Sequence, residues 1–417
     1  MAQAVAVIDI GKTRSKLTVW AGDGRLLLQS DYINAIGTGT PRQLDIAGID
    51  SWLKGALAEA ARVAEIGAIV PVGHGAAAVM LADGAPLAAL DYEQPLPPDV
   101  AAAYEPLRDP FEFSLSPRLP AGLNLGAQLF WLERLHADAW GLGARLLLWP
   151  QYWAWRLSGA HASEVTSLGC HSDLWRPGQR RFSDLALARG WAERLGPLRR
   201  ADDVAGEIRS ELASELGLPK RCRVYVGLHD SNAALHAART SPELAAGPFS
   251  VVSTGTWVVC MAAGGPGPKA YDPGEDMLAN VDVEGAAIPT ARFMGGRDYQ
   301  AWMGDALGAG SDPALLGRAD AASEGAAADP LLRATAAALR LARGTDRALA
   351  LVGAVGPILV EGRFADDPAF MVALARLRPR QPVYRGGAAD AVALGALRLA
   401  APALAPPPLT RIEDRGE

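Results

Sequence analysis

Ala4-Val5-Ala6-Val7-Ile8-Asp9 and Lys16-Leu17-Thr18-Val19-Trp20 flank a polar bend, Ile10-Gly11-Lys12-Thr13-Arg14-Ser15. Two β-rich runs joined by a glycine-containing turn predict a hairpin. A third apolar run, Arg25–Ser30, follows Gly22-Asp23-Gly24 and extends the hairpin to a three-stranded meander. Helical periodicity then appears in Ile49–Ile66, where Trp52, Leu53, Leu57, Ala61 and Val63 share one face, and it leads into a strand at Ala68–Val72. Far along the chain the opening repeats in kind: Phe249–Thr254 and Trp257–Ala262 form a second hairpin around Gly255. Two glycine-turn hairpins, each starting a half of mixed strands and helices, predict a duplicated α/β architecture with a cleft between the halves. The junction is expected near Ser241–Pro248, giving an N-terminal domain over 1–242, a C-terminal domain over 243–402 and a Pro-rich tail over 403–417.

Further elements follow the same signals. Asn124–Leu135, Gln151–Leu157, Asp230–Arg239, Gly296–Leu307, Pro330–Arg343, Pro368–Arg376 and Ala388–Ala400 read as helices. Arg221–Gly227 and Ala348–Val352 read as strands, and the tail from Ala401 is expected to fray.

Composition narrows the classes. The chain has 417 residues, 50% hydrophobic and 21% charged, which is ordinary globular composition. A net charge of −6 without a basic block gives no footprint for nucleic acid or an anionic membrane. Three widely spaced cysteines, Cys170, Cys222 and Cys260, fit reduced thiols better than a disulfide frame or a zinc site. The start reaches Asp9 before any basic n-region and is expected to be a first strand rather than a secretion signal, and the uncharged run Leu244–Pro268 holds too many prolines and glycines for a spanning helix. A cytoplasmic protein is expected.

Chemistry concentrates in three places. Lysine is scarce, five against 40 basic residues in all, yet Lys12 and Lys16 share one turn with Asp9. A carboxylate at a strand end followed by glycine, hydroxyls and cations suits a nucleoside triphosphate with Mg²⁺, although a solvated hairpin tip has the same look. Gly11-Lys12-Thr13 is not a Walker loop, since Ala6 stands where that motif needs glycine and a β-run follows where it needs a helix. Ser253-Thr254-Gly255-Thr256-Trp257 offers three more hydroxyls in an uncharged strand pair, a pattern shared with ordinary hairpin turns. Between them, Gly227-Leu228-His229-Asp230-Ser231-Asn232 joins a strand to a helix. Asp230 there can cap the helix, or it can take a proton from a sugar hydroxyl during phosphoryl transfer. His229 can bond a substrate hydroxyl or be a satisfied neutral imidazole.

In this order and spacing the three elements resemble the FGGY carbohydrate kinases, especially their rhamnulokinase and L-fuculokinase branch, over nearly the whole chain. Gly73-His74-Gly75-Ala76, Thr166-Ser167-Leu168-Gly169-Cys170-His171 ahead of Trp175, and Met294-Gly295 with Gln300 are similar to further family elements. The resemblance implies an α/β fold of two actin-like, ribonuclease H-like domains, each a mixed sheet flanked by helices, with the active site in the cleft between them. It implies ATP and Mg²⁺ as cofactors, with Asp9 organising the metal through water. Lys12, Thr13, Arg14, Ser15, Lys16, Thr256, Gln300 and Gly362 match ATP-binding positions. Asp230 matches the catalytic base. His74, Gly75, Asn124, His229, Asp230 and Ser231 match substrate contacts, and Arg292 stands where rhamnulokinases carry a substrate asparagine. The second glycine run is reduced to Val360-Glu361-Gly362-Arg363-Phe364.

The activity implied is ATP-dependent phosphorylation of a ketose, either a deoxy-hexulose such as L-rhamnulose or L-fuculose, or a pentulose. The expected partners are the sugar and ATP, with a homodimer as candidate assembly and neither nucleic acid nor membrane. Two other classes fit the same residues: a sugar or nucleotide sensor without turnover, and an actin-like ATPase indifferent to sugar.

Overall fold

The computed structural model describes residues 3–304, 308–321, 329–387, 390–406 and 408–413. The opening hairpin forms as β1 (Ala4–Ile10) and β2 (Arg14–Trp20), paired antiparallel, with β3 (Leu26–Ile33) added at the outer side. Helix α1 (Ile46–Val63) returns the chain to β4 (Ile66–Gly73), which lies parallel to β1. Arg223–Tyr225 continues the sheet parallel to β4. β1 and β4 are buried almost throughout and read as continuous apolar runs, as expected for strands covered on both faces. β3, at the margin, alternates between exposed and half-buried residues.

The same order recurs around the second hairpin. Ala287–Phe293 pairs with Val258–Ala263, which pairs with Phe249–Thr254, all antiparallel. Ile358–Gly362 then joins Phe249–Thr254 in parallel, and Val383–Arg385 joins Ile358–Gly362 in parallel. Each half is thus built on a seven-stranded mixed sheet in which three antiparallel strands are followed by two parallel ones.

The chain divides into two compact units. The first holds Met1–Ala237, Ala279–Ala287 and Asp390–Ala405; the second holds Ala238–Leu278, Ile288–Ala389 and Pro406–Glu417. A division at 242/243 with a contiguous second part therefore differs from the packing in two segments. The physical reason for one of them is plain: the helix Ala391–Ala400 buries Ala393, Ala396 and Leu397 against Val5, Val7, Val70 and Ala233 of the first unit. The opposite face of that unit's sheet is covered by α1, whose Leu53 and Leu57 pack with Ile8, Leu17 and Ile69.

Three expectations are corrected. Ala348–Val352 is not a strand: the helix begun at Pro330 runs to Leu351, burying Ala334, Ala338, Leu341, Thr345 and Leu349 at helical spacing, and the strand is Ile358–Gly362. The tail does not simply fray, because Thr410–Arg411 pairs with Tyr384 and Arg385. The helix read from Gly296 spans Gly295–Met303, and residues 305–307 lie outside the described residues. So do 388–389 at the start of the last helix, and 407 and 414–417 in the tail. Among the described residues no helix is long and apolar enough to cross a membrane.

Candidate active site

Three parallel strands of the first unit end side by side. Ile10 of β1 is in register with Gly73 of β4, and His229 of the short strand Leu228–His229 pairs with the same Gly73. The loops that follow these carboxyl ends carry the Gly11–Ser15 turn, His74-Gly75 and Asp230, so the sheet topology alone gathers the predicted first-unit residues at one edge. In open α/β sheets this is where ligands bind.

The first turn is built from inside. Asn34 donates its amide to the carbonyls of Gly11 (2.9 Å) and Lys12 (3.1 Å) and accepts from the Ser15 hydroxyl (2.8 Å). Ser15 is fully buried, so its hydroxyl serves the turn rather than lining phosphates. Arg14, expected at the phosphates, pairs with Asp31 across the strands at 2.9 Å, while Thr13 is exposed at the tip. Lys12 is held by Asp91 and by Glu93 (3.2 Å) and lies over the Tyr92 ring, 4.6 Å from its centroid. Lys16 is held by Asp390 and stands opposite Asp9 in the β1–β2 register. Burial, reinforced by the charges of Asp230 and Asp390 and opposed by Lys16, raises the Asp9 carboxyl to about 7.

At the head of the helix Asp230–Arg239 the two oxygens of Asp230 have different fates. Oδ1 accepts the Ser231 backbone N–H (2.5 Å) and the Ser231 hydroxyl (3.2 Å), and lies 3.1 Å from His229 Nε2. No donor among the described residues reaches Oδ2, and the side chain keeps 31% exposure. Burial alone would raise this carboxyl, but His229 outweighs it and holds the pKa below the ordinary aspartate value. Burial would likewise lower His229, yet Cys170 and Asp230 raise it well above an ordinary histidine. The His229 backbone N–H is anchored on the Thr166 hydroxyl at 3.0 Å, and that hydroxyl donates to the buried Glu164 at 2.5 Å.

His74 is buried with both ring nitrogens lacking a partner. It stacks on Trp149, 5.6 Å between centroids, and meets the Tyr92 ring edge-on at 5.0 Å. Burial lowers its pKa to about 3, so the ring is neutral. Neither ring nitrogen has a partner among the described residues, an uncommon state for buried polar atoms at the end of a parallel strand. Gly75 acts through its missing side chain: a Cβ there would lie 2.4 Å from Cys170 Sγ and 3.1 Å from His229 Cδ2. Asn124 is already spent, accepting from Leu119 N–H (2.8 Å) and donating to Pro117 O (3.0 Å) and His171 O (3.1 Å).

In the second unit the turn Ser253–Trp257 carries no charge. Thr254 Oγ1 donates to Glu361 O (2.6 Å) and accepts from Phe364 N–H (2.9 Å), tying the turn to the strand end at Gly362. Gly362 has φ +83°, and a Cβ there would lie 2.1 Å from Thr254 O, so glycine is required. Thr256 and Gln300 are exposed. Arg292 bonds Asp276 at 3.0 Å and lies over the half-exposed Trp257 ring, 5.0 Å from its centroid. Sequence reasoning missed Asn34, Asp91, Tyr92, Trp149, Glu164, Cys170 and Asp390 as members of these networks. Only the Cys170 motif had been singled out, and for its resemblance rather than for its contact with His229.

Among the described residues no cluster of three or more His, Cys, Asp or Glu side chains is arranged to hold a metal ion. Mg²⁺ needs only one or two carboxylates and keeps several waters. Asp9, a hard oxygen donor whose ionised form is disfavoured by neighbouring carboxylates, fits such a cation.

Comparison with known proteins bears on the whole chain. A family model described as carbohydrate kinase FGGY, C-terminal domain, matches residues 246–322 and 315–407. No curated protein matches significantly. Among solved structures, a carbohydrate kinase from Novosphingobium aromaticivorans is 41% identical, covering 99% of this chain and 94% of its own, with a TM-score of 0.91. A xylulose kinase from Rhodospirillum rubrum matches at 17% identity over 99% and 93%, TM-score 0.76. A Plasmodium falciparum glycerol kinase with ADP matches at 11% over 95% and 88%, TM-score 0.73. The last two share the fold of two actin-like, ribonuclease H-like domains.

Proposed function

We propose that this chain, which belongs to the FGGY family of carbohydrate kinases and is a phosphotransferase acting on a sugar, uses Asp230 as general base to move the γ-phosphate of ATP onto a hydroxyl of a ketose. One observation supports this most directly: Asp230 Oδ1 is held by three donors while no donor among the described residues reaches Oδ2. A carboxylate fixed by one oxygen and bare at the other can accept a hydroxyl proton as the sugar oxygen attacks phosphorus. The lowered pKa keeps it ionised and ready at neutral pH.

The unspent nitrogens of His74 are the proposed sugar anchors, with His229 and Ser231 beside the base. Lys16 and the backbone of the Gly11–Ser15 turn are the proposed phosphate contacts, together with Thr256, Gln300 and Gly362 from the second unit. Asp9 would hold Mg²⁺ through water, and the ion would neutralise charge on the transferring phosphate. Lys12 takes a different part: clamped by Asp91 and Glu93 over Tyr92, it stiffens the ring against which His74 packs. A xylulose kinase among the structural neighbours supports testing pentuloses alongside L-rhamnulose and L-fuculose.

The deciding experiment is ADP release with Mg·ATP across D-xylulose, L-xylulose, D-ribulose, L-ribulose, L-rhamnulose and L-fuculose. Release that depends on one or a few of these ketoses is expected. ADP formed at one rate with and without sugar would make the chain an actin-like ATPase, and sugar binding without ADP would make it a sensor.

A further inference from the structure

His229 Nε2 has two neighbours. Asp230 Oδ1 lies at 3.1 Å and the Cys170 sulfur at 3.5 Å. On the ring's other side the Asn232 side-chain amide is 3.0 Å from Nδ1; in the neutral ring Nδ1 can accept from it, which puts the proton on Nε2. In the imidazolium Nε2 carries a proton as well. In either charge state one N–H is therefore shared between a carboxylate oxygen and a sulfur.

The sulfur is itself held in place. Cys170 is 1% exposed; burial would raise its thiol, but His171 and His229 beside it hold it down at about 6, so the sulfur acts as an acceptor. His171 Nδ1 meets the carbonyl of Leu123 at 3.0 Å and must donate there. Gly75 lets the sulfur come this close, since a Cβ at that position would lie 2.4 Å from Sγ. A string of polar atoms, His171–Cys170–His229–Asp230, thus runs from a backbone carbonyl to the carboxylate that the preceding section makes the base.

We propose that Cys170 is a positioning residue for phosphoryl transfer: its sulfur accepts part of the His229 Nε2–H bond, fixing the imidazole plane and, through it, the direction of Asp230. This rests on Asp230 being the base. It assigns Cys170 neither substrate contact nor redox chemistry. Serine keeps a hydrogen-bond acceptor at this position, whereas alanine has nearly the same bulk and no acceptor. A role in packing alone treats the two alike; a role in hydrogen bonding separates them.

Two measurements on the full chain decide the matter. In the first, kcat and the KM for ATP are determined for wild type, C170S, C170A and D230N with the ketose turned over fastest in the panel. C170A is expected to lose roughly tenfold in kcat with KM for ATP within about twofold, and C170S to recover to within about threefold of wild type, the scale of one shared hydrogen bond. Equal rates for C170S and C170A, whether both wild-type or both impaired, overturn the proposal. Wild-type turnover by D230N instead overturns the assignment of the base.

The second measurement needs no substrate and no variant. With histidine labelled at its ring nitrogens, long-range ¹⁵N–¹H correlation across the six histidines should show His229 protonated on Nε2 and His171 on Nδ1. A His229 ring bare at Nε2 would remove the shared bond and with it the proposal.

Discussion

The two hairpin turns have the same place in their sheets and opposite chemistry. In the first, cations and carboxylates are matched side chain by side chain: Lys12 with Asp91 and Glu93, Arg14 with Asp31, Lys16 with Asp390. In the second there is no charge, and the Thr254 hydroxyl ties the turn to the neighbouring strand by bonds to backbone groups there. The glycines differ in the same sense. A Cβ on Gly11 would lie 2.7 Å from Arg14 O, whereas one on Gly255 meets nothing nearer than Trp257 O at 3.9 Å. The contrast shows that a shared topology fixes where a turn sits but leaves open how it is held. A turn beside the buried carboxylate proposed as the base needs its own charges balanced, because unpaired charge near burial is costly. A turn that offers only hydroxyls and N–H groups can be built from backbone.

The sharpest break of this contrast is Asp230→Asn. If the first unit holds the chemistry, the variant should lose roughly 10²–10⁴-fold in sugar-dependent ADP release while binding nucleotide normally, as measured by steady-state kinetics and calorimetric titration. Next in size is the pair of glycine substitutions. Gly11→Ala should destabilise the chain by about 1–3 kcal/mol, because the new methyl strikes a backbone oxygen that cannot yield. Gly255→Ala should cost less than about 0.5 kcal/mol, the usual scale for a substitution that meets no close neighbour. Guanidinium unfolding of the two variants compares them directly.

A buried glutamate in each unit carries the comparison into pH. Burial raises Glu164 and Glu361 alike to about 7. Both pKa values stand above the unfolded one, so the stability each contributes is full below about pH 4.5 and declines as pH rises through about 7. Their surroundings differ, since Glu164 accepts from Thr166 N–H, Thr166 Oγ1–H and Ser167 N–H, while burial is the only cause acting on Glu361. Glu164→Gln should therefore destabilise by roughly 1–3 kcal/mol at every pH, because the amide keeps only one acceptor oxygen and its NH₂ must face a backbone N–H. Glu361→Gln should instead stabilise by roughly 1–3 kcal/mol above pH 7 and flatten the fall between pH 4.5 and 7. Denaturation midpoints from pH 4 to 8 would read both. A stabilising Glu164→Gln would show that its three donors count for less than its charge.

Much of the first site was legible in the chain. Strand, polar glycine turn and strand at residues 4–20 could only be a hairpin, and Asp230 falls at a strand-to-helix junction by simple reading. The roles within the turn were not legible. Lys12, Thr13, Arg14, Ser15 and Lys16 look alike as phosphate donors on paper, but alternation along β2 and the long-range partners Asn34, Asp91 and Asp390 give them different tasks. Ala348–Val352 was misread because a short apolar run has no period of its own to separate a buried helix turn from a strand. Asn124 looked like a sugar ligand by position, and only the loop bonds show it already occupied.

Sequence alone determined the two hairpins, the alternation of strands and helices behind them, and which residue types stand at each strand end, because these depend on local periodicity and turn chemistry. Tertiary structure decided which groups meet: the sulfur of Cys170 against His229, Asp390 against Lys16, and the bare oxygen of Asp230. Those meetings join residues 59, 374 and more positions apart, or depend on which lone pair is left over once every nearer donor is satisfied. No local pattern encodes a pairing that exists only after the sheet has closed around it.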